Sequence, residues 1–178
     1  MKILLNNSSL FESLRPFNDL GFVPTMGGIH KGHLSLINKS KKLCKKTIVS
    51  IFVNPTQFND KKDFFKYPRN IRKDIKILKT LNVDYLFMPT SREIYKTKYK
   101  PINIKKTDKI LCAKYRKGHF EGVLSVMSRL LCIIKAKYVF MGEKDFQQYL
   151  LIKKKLGKKY RINIISCPII RGKNKVAL

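Results

Sequence analysis

Two of the three histidines in the chain stand three residues apart in a glycine-rich segment, Pro24-Thr25-Met26-Gly27-Gly28-Ile29-His30-Lys31-Gly32-His33. An apolar stretch precedes this segment and a helical pattern follows it, so the glycines predict a tight turn from strand to helix. His30 and His33 then lie on one face of the first helical turn. Since a helix N-terminus offers free N–H groups and partial positive charge to anions, we predict a phosphate site here. The alternative is a pair of surface histidines.

A second strand-to-helix junction carries Gly142-Glu143-Lys144-Asp145. Its backbone N–H groups are predicted to open another helix, where Lys144 could place a point charge on a phosphate. Capping of the helix would by itself explain an aspartate at Asp145. Gln148 follows three residues later and is predicted to lie on the same helix face.

The elements that must position these residues alternate along the chain. Apolar and β-branched runs predict strands over 21–24, 47–53, 83–88, 138–141 and 162–166. Helical periodicity predicts helices over 30–42, 71–81, 123–134 and 145–156. This alternation is typical of an α/β fold with a doubly wound parallel sheet, which binds ligands beyond the carboxyl ends of its strands.

Length and composition set limits on the class of protein. The chain has 178 residues, of which 44% are hydrophobic, as expected for one domain with a sizeable core. No apolar run is long enough to span a bilayer, and the N-terminus lacks the apolar region of a signal peptide. The cysteines are widely spaced, which favours reduced thiols in the core of a cytoplasmic protein. They are Cys44, Cys112, Cys132 and Cys167.

The net charge of +28 could indicate a nucleic-acid or membrane partner. The basic residues are 31 Lys and only 8 Arg, scattered along the whole chain, while Ile (20) and Asn (11) are plentiful. AT-rich codons encode these residue types, and a nucleic-acid surface would favour clustered arginines. We therefore favour a solvated basic surface and expect neither nucleic acid nor a membrane as a partner.

The turn His30-Lys31-Gly32-His33 is the His-x-Gly-His motif of the nucleotidylyltransferase superfamily of Rossmann-like folds. The chain more specifically resembles the pantoate–β-alanine ligases. The further matching blocks are Val49-Ser50-Ile51-Phe52-Val53-Asn54-Pro55-Thr56-Gln57-Phe58, Tyr67-Pro68-Arg69, Gly118-His119-Phe120-Glu121-Gly122-Val123 and Gly142-Glu143-Lys144-Asp145-Phe146-Gln147-Gln148. Their order and spacing match along nearly the whole chain.

The resemblance implies a ligase that forms pantoyl-adenylate and pyrophosphate from ATP and pantoate. The amine of β-alanine then displaces AMP. It assigns His33 as the proton donor, with His30 and Lys144 acting on the phosphates, and implies Mg²⁺ and a homodimer. The implied ATP-binding residues are Met26, Gly27, Gly28, Ile29, His30, Lys31, Gly32, His33, Gly142, Glu143, Lys144, Asp145, Ile170 and Leu178.

The resemblance assigns Gln57 to pantoate and β-alanine, and Gln148 to pantoate; Gln57 could instead complete a turn after Pro55. Asn54 either ends a strand or orients the substrate. Asp145 could hold the ribose or magnesium side of the site. Asp74 matches an aspartate near the magnesium and phosphates, and a partner for Lys73 or Lys76 is the alternative. The role of His119 stays open.

Two features depart from the family pattern. Family members continue past this point into a Ser-Ser-Arg-Asn segment and a smaller C-terminal domain, so residues 1–178 are expected to be the N-terminal ATP- and pantoate-binding domain alone. Lys175 also replaces a family glycine. We expect slow pyrophosphate release from this chain and poor coupling of ATP use to product. The alternatives are a nucleotidylyltransferase for another acid and a non-catalytic, basic nucleotide- or RNA-binding remnant of the fold.

Overall fold

A computed structural model describes residues 1–15, 17–96 and 102–178. It contains one six-stranded sheet, all parallel, in the order β1-β4-β3-β2-β5-β6. The strands are β1 (Lys2–Leu4), β2 (Leu20–Thr25), β3 (Lys46–Ile51), β4 (Tyr85–Phe87), β5 (Tyr138–Gly142) and β6 (Asn163–Cys167). The main helices are α1 (Asn7–Leu14), α2 (Lys31–Leu43), α3 (Lys61–Lys66), α4 (Ile71–Thr80), α5 (Ser91–Tyr95), α6 (Cys112–Tyr115), α7 (His119–Ile134), α8 (Phe146–Ile152) and α9 (Lys158–Tyr160).

Successive residues of each central strand enter two separate apolar cores. Phe22 of β2 lies in the core that also contains the buried side chains of α1 and α7. The next residue, Val23, lies in the core formed with α2 and α4. Because strand side chains alternate between faces, these two cores lie on opposite faces of the sheet. The predicted doubly wound α/β architecture is confirmed.

The sheet reverses its order at β2. This strand pairs with β3 over six residue positions, from Leu20–Lys46 to Thr25–Ile51. It pairs with β5 at only two, Gly21–Tyr138 and Phe22–Val139. The carboxyl halves of β2 and β5 therefore separate, and such a reversal point is where α/β sheets form their ligand crevice.

The predicted strands and helices are all present, but several details differ from expectation. The sequence pattern missed β1, α1 and the short helices α3, α5 and α6. The single helix predicted over 145–156 is instead a 3₁₀ turn at Glu143–Asp145, followed by α8, a π-helical turn at Lys153–Gly157 and α9. Its apolar spacing is compatible with all of these, since i+3, i+4 and i+5 neighbours share one face.

The predicted burial of the cysteines is correct for two of the four. Cys44 and Cys167 are buried, whereas Cys112 and Cys132 are exposed. Cys112 is the first residue of the short surface helix α6, and Cys132 lies on the outer face of α7. Small size and apolarity make a cysteine suitable for a core, but the face of the helix on which it stands decides its burial.

No helix within the described parts of the chain combines the length and apolarity needed to cross a membrane.

Candidate active site

A cavity of about 310 Å³ opens between the carboxyl ends of β2 and β5. Pro24, Thr25 and Met26 line it from β2 and the turn that follows, and Met141 and Gly142 line it from β5. The starts of α2 and α8 both border this cavity through His30, His33, Lys144 and Gln148. The fold therefore brings both predicted strand-to-helix junctions to one cavity.

The glycine turn after β2 is held by a distant carboxylate. Gly27 and Gly28 have φ angles of 87° and 64°, which favour glycine. The backbone N–H groups of Gly28 and Ile29 donate to Asp74 Oδ2 and Oδ1 at 2.9 and 2.8 Å. Asp74 is only 2% exposed. Its carboxylate therefore fixes the backbone of the predicted phosphate turn.

Neither earlier interpretation of Asp74 included these two bonds. The ion pair with Lys73 or Lys76 is not found among the described residues, because none of their ion pairs includes Asp74. The magnesium role stays a prediction. A carboxylate that accepts two backbone N–H groups stabilises the turn whether or not an ion is near.

His30 caps the helix it was predicted to open. Its Nδ1 accepts a hydrogen bond from the Gly32 N–H at 3.1 Å, so the proton of the neutral ring is on Nε2. The His33 ring lies 4.1 Å from the His30 ring, centroid to centroid. The two rings therefore stand together, as the three-residue spacing predicts.

The environment keeps both histidines neutral near pH 7. Burial lowers the pKa of His33 to about 4, helped by the nearby His30 and Lys144. Burial and then the charge of Lys144 also lower the pKa of His30. Because a bound phosphate would oppose the field of Lys144, we expect a ligand to reverse part of this shift. In the ligand-free site the rings are neutral hydrogen-bonding groups, and Lys144 supplies the fixed positive charge.

Lys144 and Asp145, two polar residues of the junction after β5, line the cavity. Asp145 stands at the N-cap position of α8 but makes no side-chain capping bond. Capping therefore does not account for this residue, and its carboxylate lines the cavity beside Lys144. Gln148 also lines the cavity. Its neighbour Gln147 is engaged elsewhere, since its amide donates to Ile110 O at 2.7 Å.

Gln57 enters the same cavity from the turn after β3, where it ends a 3₁₀ helix, Pro55–Gln57. Its Nε2 donates to Met26 Sδ at 2.8 Å, and its Oε1 accepts from Asn54 Nδ2 at 3.2 Å. Asn54 is 1% exposed and its side chain caps the 3₁₀ helix. Asn54 thus caps the turn and contacts the predicted substrate glutamine, and its role in orienting a substrate stays a prediction.

The start of α7 supports this turn from behind. His119 Nδ1 lies 2.7 Å from the backbone oxygen of Gln57, within hydrogen-bond distance. Gly122 approaches so closely that an added Cβ would stand 2.3 Å from Thr56 O. The block that contains both residues therefore packs directly against the turn that carries Gln57, and His119 acquires a structural contact that the sequence left open.

The last residues close one side of the cavity. Leu178 N–H donates to Ile170 O at 2.9 Å, and both residues line the cavity. Lys175, where the family resemblance implies a glycine, has a φ of 61° in the left-handed region that favours glycine. The chain keeps the turn that a glycine would form, at some cost in backbone strain.

Most predicted site residues line the cavity, and some lie behind it. Those lining it are Met26, His30, Gly32, His33, Gln57, Gly142, Lys144, Asp145, Gln148, Ile170 and Leu178. Gly27 and Asp74 instead line a neighbouring cavity on the other side of the glycine turn. Gly28, Ile29, Lys31 and Glu143 belong to the two junctions without lining either cavity.

Sequence reasoning missed the apolar wall of the cavity. Val123, Val126, Met127 and Leu130 of α7 face the cavity at positions i, i+3, i+4 and i+7. Their periodicity predicted the helix but not that part of its apolar face would border a ligand. Tyr67, in the block Tyr67-Pro68-Arg69, also lines the cavity.

Within the described parts of the chain, no group of three or more His, Cys, Asp or Glu residues is arranged to hold a metal ion. Mg²⁺ that enters with a nucleotide keeps phosphate and water ligands and needs few protein groups. The carboxylate of Asp145, which lines the cavity without capping α8, fits such an ion better than Asp74, whose two oxygens already accept hydrogen bonds.

The family model described as pantoate-beta-alanine ligase matches residues 5–178 of this chain. Pantothenate synthetase from Endomicrobium trichonymphae is 43% identical over 185 residues, covering 100% of this chain and 65% of that protein. The corresponding protein from Acetivibrio thermocellus is 41% identical over 184 residues, covering 100% of this chain and 66% of its own length. The chain thus spans a little less than two thirds of these curated relatives.

Solved structures show the same fold. The pantoate-beta-alanine ligase of Francisella tularensis, complexed with beta-gamma ATP and beta-alanine, superposes with a TM-score of 0.95 at 42% identity, covering all of this chain and 70% of that one. Pantothenate synthetase from Thermus thermophilus has a TM-score of 0.94 at 31% identity, covering 100% of this chain and 65% of that one.

Proposed function

The chain belongs to the pantoate-beta-alanine ligase family, and from this premise we propose that it joins pantoate to β-alanine with the use of ATP. In the first step, a carboxylate oxygen of pantoate attacks the α-phosphorus of ATP and pyrophosphate leaves. In the second, the β-alanine amine attacks the acyl carbon of pantoyl-adenylate, loses a proton and displaces AMP. Pantothenate is the product.

The observation that carries this proposal is the pairing of two kinds of group in one cavity. His30, His33 and Lys144 form a cationic and hydrogen-bonding side, while Gln57 and Gln148 provide amides beside the apolar residues of α7. The first set suits a polyphosphate, and the second suits a small hydroxy acid with an apolar body. A cavity of about 310 Å³ is at the small end of the usual ligand range.

The geometry supports a proposed role for each of these residues. His30 can donate through Nε2, because its Nδ1 already accepts from Gly32. Lys144 would stabilise the charge that builds on the leaving pyrophosphate, and neutral His33 would donate a hydrogen bond to it. His33 would donate a proton only in its protonated form, which the charge of bound phosphate favours. ATP would arrive as its Mg²⁺ complex, with Asp145 on the metal side of the site. The homodimer and the cytoplasmic location belong to this proposal as expectations of the family.

Isotope exchange between pyrophosphate and ATP tests the first step on residues 1–178. Label should enter ATP only when pantoate is present. His33→Ala should slow this exchange by about 10²–10³, the usual loss on removal of one preorganised donor. ATP binding measured by calorimetry is the control for folding of the variant.

Two outcomes would contradict the proposal. Exchange with other hydroxy acids but not with pantoate would indicate a nucleotidylyltransferase for another acid. Exchange by His33→Ala at the rate of the unsubstituted chain would show that His33 takes no part in the first step.

A further inference from the structure

The amide of Gln57 is held in one orientation by a chain of hydrogen bonds. Asn54 Nδ2 donates to Gln57 Oε1 at 3.2 Å, which places the carbonyl end of the Gln57 amide toward Asn54. The NH₂ end then lies toward Met26 Sδ, at 2.8 Å, on the side that lines the cavity. Because the Met26 sulfur is an acceptor, its contact requires the same orientation of the Gln57 amide as the contact with Asn54 does.

The orientation of the Asn54 amide is determined in turn by backbone groups, each of which can act only as a donor or only as an acceptor. Its Oδ1 accepts from the Thr56 N–H at 3.3 Å, and its Nδ2 donates to Gly122 O at 3.3 Å. A reversed Asn54 amide would place N–H against N–H and oxygen against oxygen. A reversed Gln57 amide would likewise place its NH₂ against that of Asn54. The sense of both amides is therefore set within the fold, before any ligand binds.

A further contact to Asn54 comes from α5. The phenol of Tyr95, the last residue of α5, donates to Asn54 Oδ1 at 2.6 Å. The remaining donors to this oxygen, the N–H and hydroxyl of Thr56, belong to the same turn as Asn54 and move with it. The guanidinium of the buried Arg129 covers the Tyr95 ring at 4.8 Å. Tyr95 thus ties the turn to α5 and α7.

We propose that Tyr95 is a positioning residue that, acting through Asn54, holds the Gln57 amide with its NH₂ group toward the cavity. Gln57 then presents donors, so the group it recognises is an acceptor, such as a carboxylate or a hydroxyl oxygen. This inference rests on the proposed function only in one respect, the assignment of the acceptor group to pantoate. Tyr95 lines no part of the cavity, and its effect on a ligand passes through Asn54 and Gln57.

Tyr95→Phe removes the hydroxyl and keeps the ring beneath Arg129. The control is Tyr115→Phe, which removes a hydroxyl from a tyrosine that is 79% exposed and outside the cavity. One readout is the ¹⁵N–¹H signal of the Gln57 side-chain amide, which Gln57→Glu assigns by its loss. The other is calorimetric binding of pantoate and of ATP to the chain of residues 1–178.

Tyr95→Phe should move the Gln57 amide signal and weaken pantoate about 3- to 10-fold, the loss typical of one hydrogen bond. ATP binding should stay within about twofold, and Tyr115→Phe should change neither readout. An unmoved Gln57 signal, or equal weakening of pantoate and ATP, would overturn the inference. If the unsubstituted chain fails to bind pantoate, the proposed function is wrong, and the Gln57 signal alone then decides the role of Tyr95.

Discussion

At the scale of single residues, the histidine pair is the feature that responds most directly to pH. His33 has a pKa of about 4 in the folded chain, whereas an exposed histidine has a pKa of 6.5. Between these values the unfolded chain binds the proton more tightly than the folded chain does. Stability contributed by the neutral ring is therefore complete above pH 6.5 and is lost as the pH falls toward 4.

We expect His33→Gln to make the free energy of unfolding depend less on pH below pH 7. The difference in unfolding free energy between pH 7 and pH 4 should shrink by on the order of 2 kcal/mol, since each pKa unit corresponds to about 1.4 kcal/mol. Urea unfolding across this range measures it. Identical slopes for the variant and the unsubstituted chain would show that His33 titrates normally.

Gln148→Leu should weaken pantoate far more than ATP. Leucine keeps the approximate size of the side chain but removes both hydrogen-bonding functions, which leaves a polar partner unsatisfied at a cost of about 1–3 kcal/mol. Gln148 lines the cavity, and its side chain makes no hydrogen bond to any described residue, so its amide is available to a ligand. Calorimetric titration of both ligands decides the matter, and equal losses would contradict the assignment.

At the scale of elements, the contact between α4 and the glycine turn holds the proposed phosphate turn in place. Asp74→Asn leaves one acceptor oxygen for two N–H groups and turns an NH₂ toward the other. We expect a loss of about 2 kcal/mol in unfolding free energy and weaker ATP binding. Chemical denaturation and calorimetry measure the two effects.

Asp63→Asn is the matched control, because Asp63 is an exposed acid in the first turn of α3. Its effect on stability should stay within about 0.5 kcal/mol. A similar small effect of Asp74→Asn would mean that the turn holds its shape without the carboxylate.

The sequence predicts best those elements whose residue pattern involves near neighbours in the chain and extends over many residues. The spacing of His30 and His33 placed them at one helix start, because helix geometry alone determines which residues share a face. The three-residue strand β1 offered too short a pattern. Asp74 and Tyr95 act through partners 45 and 41 residues away, and no periodicity encodes a side-chain contact over that separation.

At the scale of the whole molecule, the charge of +28 makes salt dependence a test of where a ligand binds. A ligand on the charged surface should respond to salt, and a ligand in the cavity should respond much less. Binding to RNA through scattered lysines would release many counterions, so its affinity should fall steeply between about 50 and 200 mM salt. A non-hydrolysable pantoyl-adenylate analogue held in the cavity contacts few charges. We expect its affinity to change much less.

Parallel titrations of a 20-nucleotide RNA and of this analogue at several salt concentrations make the comparison. Tight, salt-resistant RNA binding together with weak binding of the analogue would favour a nucleic-acid function over the ligase. The unmodified chain serves for both titrations, so the two ligands are compared on identical material.

The cap on α2 couples proton chemistry to the helix itself. His30 Nδ1 closes the first turn of α2 only while it carries no proton, since it accepts the Gly32 N–H. A second proton on the ring would replace an attraction by two opposed N–H groups and fray the helix start. Full protonation of His30 therefore competes with the order of the turn that a phosphate needs. The fold thus favours His30 as a neutral ring that offers Nε2–H as a hydrogen-bond donor, and not as a group that takes up and passes on a proton.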